Sequence, residues 1–379
     1  MQSHKKVKVA LVMPNHADMN SSLNNYVKTY QQMVSRGLIE VTLFTDEKAN
    51  ISIKGFTIEK IRSVDFGTAI EKVLFVLGIP RQYYLGLKRK LDGFDVIVAN
   101  NPEFYAYSFQ AYRAARAKGV RLVLRTSQTV EGFYLYRLTK FIVNPIVRAA
   151  YAYASKNIFS NPQAEQRCIN LGLIKEKERR KSVITGHATD THCFKPMSIQ
   201  KPDFPVLLSV GGLYKVKGHH YIIRALKKIH EWGFEDAQLW IVGKGVFEEK
   251  LRLLSKELGI ENKVKFFGSL CHKELAKMYN KTTVFILSNE QEITPAVNEA
   301  LACGIPTVVS ECGGRSYVIP NENYSLIAKS RDPESIAKKV ITLLKNKKLA
   351  QTIATRGRRR VLEKFSIEVV VKKFCRSFV

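Results

Sequence analysis

Short, unbroken runs of valine, isoleucine and leucine recur along the whole chain, each followed by an amphipathic stretch. This alternation constrains the fold more than any other feature. Within the runs, apolar residues do not alternate with polar ones, as a strand with one wet face would require. They mark parallel strands covered by helices on both faces. A first series comprises residues 7–14, 41–45, 95–101, 122–127, 157–162 and 182–186. A second comprises residues 205–211, 239–243, 264–268, 284–288, 307–310 and 325–328. Between strands, Ile222, Ala225, Leu226 and Ile229 fall on one helical face at i, i+3, i+4 and i+7. Strand–helix alternation predicts doubly wound α/β architecture, and two series predict two such domains. The joint is expected at residues 195–205, where Pro196, Pro202 and Pro205 lie in a polar run. Ligands of open α/β sheets bind beyond the carboxyl ends of the strands, so the two sheets are expected to face a cleft. Glycines gather at those ends in the second series: Gly211, Gly212, Gly243, Gly245, Gly268, Gly313 and Gly314.

The 61 Lys and Arg residues outnumber the 33 Asp and Glu, a formal net charge of +28. That points to anionic partners: nucleic acid, anionic lipid or phosphorylated small molecules. Six cysteines form no C-x-x-C pair and no zinc spacing, so free buried thiols in a reducing compartment are expected. No run of 18 apolar residues occurs and residues 1–7 are polar and basic. The expectation is neither signal peptide nor membrane span.

Two constellations carry chemistry. In VLLSVGGLYKVKG, residues 206–218, a buried strand runs into Gly211-Gly212, and Lys217-Gly218 opens the next helix. Glycines let backbone approach a ligand, and a lysine at a helix start adds to the positive charge already there. The pair suits a phosphate, with a plain turn and a surface lysine as the alternative. GxxxxGK[ST] is absent, which disfavours ATPase chemistry. In VFILSNEQEITPAVNEALACGIPTVV, residues 284–309, a strand ends in a polar loop bearing Glu290, Gln291 and Glu292, side chains that can bond sugar hydroxyls. Thr294 reads as an N-cap and Pro295 as the first helical residue. The amides of Ala296 and Val297 are then expected to be free for an anion, with Glu299 one turn in. Gly304 and Pro306 end the short helix.

This second stretch resembles the signature of the retaining nucleotide-sugar glycosyltransferases of family 4 (group 1), which have the GT-B fold. That pattern is a Glu, seven residues, a second Glu, then a small-residue helix ending in Gly and Pro. NEALACGIP matches it with Glu299 as the second acid; Gln291 stands at the first acidic position. The resemblance implies that Gln291 meets the donor sugar, with Glu290 or Glu292 as possible carboxylate substitutes, and that Glu299 binds the ribose. SVGGLYKVKG is similar to the donor-phosphate loop, with Lys217 in place and Gly212 where an arginine is common. ECGGRSYVI resembles the Gly-Gly turn near the sugar-phosphate, LWIVGKG and VKFFGSL the strand ends around the base, and TGHATDTHCFKP the interdomain segment. Ser21-Ser22 stand where two glycines are usual. The implied organisation is two Rossmann-like domains, an acceptor-binding one over residues 1–196 and a donor-binding one over 197–379. The last helix, about 366–379, is expected to cross back to the first domain.

His16, after the first strand, is the histidine best placed as an acceptor-side base, with a solvated loop histidine as the alternative. No D-x-D occurs, and neither metal nor cofactor is expected; the nucleotide-sugar is a substrate. Residues 133–156 interleave Arg137, Lys140, Arg148 and Lys156 with Tyr134, Tyr136, Tyr151 and Tyr153. They suit an anionic membrane surface or a helix pair broken at Pro145. Residues 345–360 carry seven cations and no acid, and Arg358–Arg360 could be a solvated helix end. No nucleic-acid recognition motif is present. The expected activity is retaining transfer of a sugar from a nucleotide-diphosphate sugar to a glycan or lipid-linked acceptor. It would belong to cell-envelope or lipid-linked glycan synthesis, in the cytoplasm at the membrane periphery. The alternative is a non-catalytic nucleotide-sugar or polyanion-binding protein of the same fold.

Overall fold

A computed structural model describes residues 6–13, 23–64, 82–102, 105–127 and 136–378, without the side chains of 23–25, 136–143 and 376–377. The chain divides into two units, Met1–Gly186 with Val370–Val379, and His187–Val369.

In the first unit the described elements are β1 (Val7–Val12), α1 (Leu23–Ser35), β2 (Ile39–Asp46), β3 (Phe56–Ile61), α2 (Leu87–Lys90), β4 (Val96–Asn100), α3 (Ala106–Lys118), β5 (Arg121–Thr126), α4 (Tyr136–Tyr153), β6 (Lys156–Phe159), α5 (Pro162–Asn170) and β7 (Ser182–Ile184). The strands form one sheet in the order β3-β2-β1-β4-β5-β6-β7, every pair parallel. The continuous apolar runs are its central strands; Val96–Asn100 is buried throughout. The seventh strand, β3, is absent from the apolar-run expectation. It is an edge strand, FTIEKI, whose apolar residues are interrupted by Thr57, Glu59 and Lys60 and in which only Ile61 is buried.

The second unit contains β8 (Val206–Val210), α6 (His219–Glu231), β9 (Gln238–Val242), α7 (Glu248–Glu257), β10 (Val264–Phe266), α8 (His272–Lys281), β11 (Val284–Leu287), α9 (Pro295–Ala302), β12 (Thr307–Ser310), α10 (Arg315–Val318), β13 (Leu326–Ala328), α11 (Pro333–Lys345) and α12 (Lys347–Lys364). Its sheet runs β10-β9-β8-β11-β12-β13, again all parallel. Alternate residues of β8 serve different cores. Leu207 packs with Ile222, Leu226, Ile336 and Val340 on one face. Val206 and Leu208 pack with Tyr279, Val297 and Leu301 on the other. Each such side chain contributes about 1.5–3 kcal/mol of burial, and both faces demand it, which is why the strand sequence does not alternate. The order of strand addition reverses between β8 and β11, and ligands of such sheets bind at this reversal.

A last helix, α13 (Ile367–Phe378), begins in the second unit, and Val370–Val379 belong to the first. There Phe374 lies 5.7 Å from the Tyr30 ring, and Arg121 Nη1 donates to Phe378 O at 2.8 Å.

Two expectations about the basic stretches need correction. Helix α4 runs through Pro145 rather than breaking there. Tyr151 is buried in the first unit's core, and Tyr153 Oη donates to Ala115 O at 3.0 Å. Arg358 and Arg360 are not a solvated helix end. Arg358 Nη1 donates to Ala302 O, the last residue of α9. Arg360 donates to Val318 O at 2.6 Å and Tyr317 O at 2.7 Å, at the end of α10. One helix thus supplies cations to the carboxyl ends of two short ones, where the unpaired carbonyls and the dipole favour positive charge.

Helix α12 comes close to α9 at Gly357. A Cβ there would stand 2.4 Å from Leu301 Cδ2 and 3.1 Å from Tyr324 O, and Leu301 is fully buried. Gly357→Ala should therefore lower stability by about 1–3 kcal/mol through overpacking, although Ala is the better helix former by roughly 1 kcal/mol. Urea denaturation of both proteins checks the sign; a more stable variant would mean that Leu301 yields without cost.

Candidate functional site

Three loops meet at the β8/β11 reversal. The first leaves β8 through Gly211 and Gly212, makes a tight turn over Lys215–Lys217, and enters α6 with Gly218 as its N-cap at φ 72°. Gly218 must be glycine for two reasons. The left-handed conformation disfavours a side chain, and a Cβ would lie 2.0 Å from Ser288 O. Ser288 Oγ donates to Gly218 O at 2.6 Å, and Glu290 N donates to Val216 O at 2.9 Å. These bonds join the first loop to the second, which leaves β11. The second is joined to the third, which leaves β12, by Gly313 N donating to Gln291 O and Ile293 N to Gly313 O, both at 2.8 Å. Asn289, fully buried, shapes the middle loop: its Oδ1 accepts from Gln291 N at 3.2 Å and its Nδ2 donates to Glu292 O at 2.6 Å.

The expected residues fall as follows. Gly211 N donates to Val242 O at 3.0 Å, while the Gly212 amide donates to no backbone carbonyl among the described residues. Gly211 O packs against Gly243, where a Cβ would approach it to 1.9 Å. Lys217 is half-buried and has no carboxylate within ion-pair distance among the described residues. Thr294 is the N-cap of α9 and Pro295 its first residue, but the Thr294 hydroxyl makes no capping bond; Oγ1 is buried without a partner. Of the two amides expected free, that of Val297 donates to Thr294 O at 3.2 Å, because the first turn tightens in the absence of a side-chain cap. The Ala296 amide has no backbone acceptor among the described residues. Glu299 is 5% exposed, and Tyr279 Oη lies 3.2 Å from its Oε2 and 3.1 Å from Ala296 O, so one phenol holds both the carboxylate and the first turn of its helix.

Gln291 is half-buried, and its side-chain amide has no partner among the described residues. Glu290, a possible substitute for it, is committed elsewhere: its Oε2 lies 2.7 Å from Arg331 Nη2. Glu292 stands beside Cys312. Burial, then Glu292, then Glu311 push that thiol up to about 12, while Arg315 and Lys217 pull the other way. Lys217 and Glu292 therefore share one neighbourhood with the Gly313–Gly314 turn. His16 and Ser21-Ser22 lie outside the described residues. Among those residues no group of three or more His, Cys, Asp or Glu is arranged to hold a metal. Ser288, Asn289, Tyr279 and Arg331 were missed, since nothing in their local sequence distinguishes a loop fastener from a solvated polar residue.

His219, the first residue of α6, is 2% exposed. Its pKa falls to about 4, mainly through burial, with Lys217 and His220 adding to the fall. The unfolded chain, near 6.5, therefore takes a proton first as pH drops. The stability that neutral His219 contributes is fully present above about pH 6.5 and lost by about pH 4, at roughly 1.4 kcal/mol per pH unit between. Urea unfolding at pH 7 and pH 5 should show that slope, and His219→Gln should reduce it; an equal slope in the variant would assign it to other groups.

Comparison with known proteins adds a family. Residues 194–360 match the model of the glycosyl transferases group 1. An uncharacterized glycosyltransferase of Methanocaldococcus jannaschii is 33% identical over 172 residues, 45% of this chain and 44% of that protein. The N,N'-diacetylbacillosaminyl-diphospho-undecaprenol alpha-1,3-N-acetylgalactosaminyltransferase of Campylobacter jejuni is 24% identical over 249 residues, 64% of each chain. The chain thus spans about half the length of the first curated relative and 64% of the second. Anabaena HepE in complex with UDP superposes with a TM-score of 0.79 at 14% identity, covering 98% of this chain and 99% of that one. Residues 194–360 therefore carry a group 1 glycosyltransferase domain, and the two parallel-sheet α/β units have the fold of the GT-B glycosyltransferases.

Proposed function

We propose that the protein transfers a sugar from a nucleotide-diphosphate sugar to an acceptor hydroxyl, with retention, as the family 4 enzymes do. The observation that carries this is the joining of three loops, two of them glycine-bearing, around Lys217, a half-buried cation with no ion-pair partner among the described residues. The diphosphate would sit on Lys217 and the amides of Gly212 and Ala296. There the fixed positive charge stabilises the nucleotide as it leaves, without reorganisation at the moment of reaction. Glu299 would accept from the ribose hydroxyls, and Tyr279 holds it in place for that. Gln291 and Glu292 would flank the sugar; Gln291 orients a hydroxyl, and Glu292 offers the negative charge that Gln291 lacks. The reading requires no metal, since the cation and amides supply the charge. The first unit would bind the acceptor. A relative that acts on a diphospho-undecaprenol glycan supports a lipid-linked acceptor in cell-envelope synthesis.

The test is a thermal-shift screen of UDP-, GDP- and ADP-sugars followed by assay of donor turnover, because a ligand of the native state raises its midpoint. Turnover would separate the enzyme from a binding protein of the same fold. Lys217→Ala should weaken a nucleoside diphosphate about tenfold or more, the roughly 1.5–3 kcal/mol of a charge-assisted hydrogen bond, and leave the nucleoside almost unchanged. Equal losses would put Lys217 outside the phosphate site.

Membrane attachment is part of the same proposal. Among the described residues no helix is long and apolar enough to cross a bilayer, while the net charge is +28. Cations near an anionic surface contribute about 1 kcal/mol each. The Arg148 Nε bond to Gly172 O at 2.7 Å makes Arg137 and Lys140 the better residues to change. Sedimentation with vesicles should require anionic lipid and fall as salt rises. Arg137→Ala with Lys140→Ala should weaken it with donor affinity kept. No sedimentation in any lipid would make a soluble acceptor the better proposal.

A further inference from the structure

At the carboxyl end of the first unit's sheet, two polar side chains stand next to each other with hydrogen-bonding capacity unspent. The order of that sheet reverses between β1 and β4, and Asn100 is the last residue of β4. It pairs in register with Arg125 of β5, so both side chains leave the sheet on the same face. Helix α1 covers that face: Arg125 Cζ lies 4.2 Å from the centroid of the Tyr26 ring. Tyr26 is itself held, its hydroxyl 2.8 Å from that of Tyr30 and its ring 5.9 Å from Phe374 of α13. The backbone beneath is fastened too. Asn101, left-handed at φ 42°, donates its N–H to Arg125 O at 2.6 Å, and its Oδ1 accepts from Ser127 N at 3.3 Å. The guanidinium is therefore placed, half-buried, on a fixed aromatic platform. A ring face offsets part of a cation's loss of water but gives its N–H groups no lone pair to bond. Among the described residues Arg125 makes no side-chain hydrogen bond and no ion pair. Asn100 is 5% exposed, and its Oδ1 is buried without a partner. An orphaned acceptor and an unpaired cation both cost stability, and these two do not bond each other.

We infer that Arg125 and Asn100 form a subsite for an anionic acceptor: the guanidinium takes its carboxylate or phosphate, and Asn100 Oδ1 accepts from a hydroxyl of the same molecule. This rests on the transferase reading above and deepens it by naming the acceptor's chemistry. A guanidinium presents paired N–H groups that match two oxygens of a carboxylate or phosphate, and the opposite charge strengthens both bonds. Asn100 Oδ1 is an acceptor, which a bare oxyanion leaves unbonded. A ligand with an oxyanion beside a hydroxyl therefore satisfies both groups, whereas a neutral sugar leaves the cation without a counter-charge. The sugar phosphate of a lipid-linked glycan and a free hydroxy acid share this chemistry.

The test uses the full chain saturated with whichever of UDP, GDP and ADP it binds best, so that the Lys217 site is filled. Calorimetry then compares glucose 1-phosphate with glucose, and L-malate with its diamide. At least one anionic probe should bind about tenfold or more tighter than its neutral partner. A preference confined to the sugar phosphate supports the lipid-linked source, and one confined to malate the free hydroxy acid. Arg125→Gln should remove the preference and keep nucleotide affinity within about threefold of the parent. Asn100→Asp has nearly the same shape but puts a carboxylate beside Arg125; it should weaken the preferred anionic probe about tenfold and its neutral partner by no more than about threefold. The comparison in the unsubstituted protein needs no variant to fold. If that protein binds none of the three nucleotides, the donor reading fails and this inference with it. If it binds one and yet prefers neither anionic probe, or if Arg125→Gln keeps the preference, only this inference fails.

Discussion

The contact of Gly218 with Ser288 is what the geometry of the candidate site depends on. Position 218 carries a left-handed turn at φ 72° and admits no Cβ, because the backbone of Ser288 occupies that space. The Ser288 hydroxyl then seals the contact at 2.6 Å. This fastens the loop after β8 to the loop after β11, on the two strands where the sheet reverses its order. Everything that follows is relative to that joint: Lys217 is one residue before it, His219 one residue after it, and the Gln291–Ile293 segment a few residues beyond its other half. A reversal point in a parallel sheet naturally leaves a crevice between diverging loops; here the crevice is fixed by backbone contact instead of by flexible side chains.

The second constraint is how two very short helices are held. Helix α9 has eight residues and α10 four, too few to be stable alone. Both begin at the loops of the candidate site. Their far ends are held by Arg358 and Arg360 of α12, and the Arg360 guanidinium also lies 5.1 Å from the Tyr324 ring. A cation at the carboxyl end and an anion at the amino end of the same helix reinforce one another through the backbone dipole. Two of the cations, Arg358 and Arg360, are therefore half-buried and committed to helix ends. This weakens the case for nucleic acid that net charge alone would make.

The fold was legible where burial is two-sided. Val206 and Leu207 face different cores and both must be apolar, so β8 can be read directly, as can the other central strands. Phe56–Ile61 escaped because an edge strand mixes Glu59 and Lys60 with Phe56 and Ile58, a pattern shared with loops. In the site, glycines and caps were legible because their backbone roles limit the residue type: Gly211, Gly218, Thr294 and Pro295 are at the turns and helix start expected of them. Partner choice was not. Glu290 pairs with Arg331, and Arg358 bonds a carbonyl 56 positions away; such tertiary pairings leave no periodic trace. The tightened first turn at Val297 was equally hidden, since it goes with a Thr294 hydroxyl that makes no capping bond.

These pairings decide how charge is divided across the site. Glu290 pairs with Arg331 and Glu299 with the Tyr279 phenol, while Glu292 is bridged to Gly313 and acts, with Lys217, on Cys312. Cys312 is between the two influences. With burial and Glu292 pushing its pKa up to about 12, the thiol stays protonated near neutrality and adds no charge of its own. In the reaction proposed above, a donor that is anionic at its diphosphate and turns positive at its sugar would meet Lys217 at one end and Glu292 at the other. In that proposal the charge that Gln291 lacks would come from Glu292, one residue later.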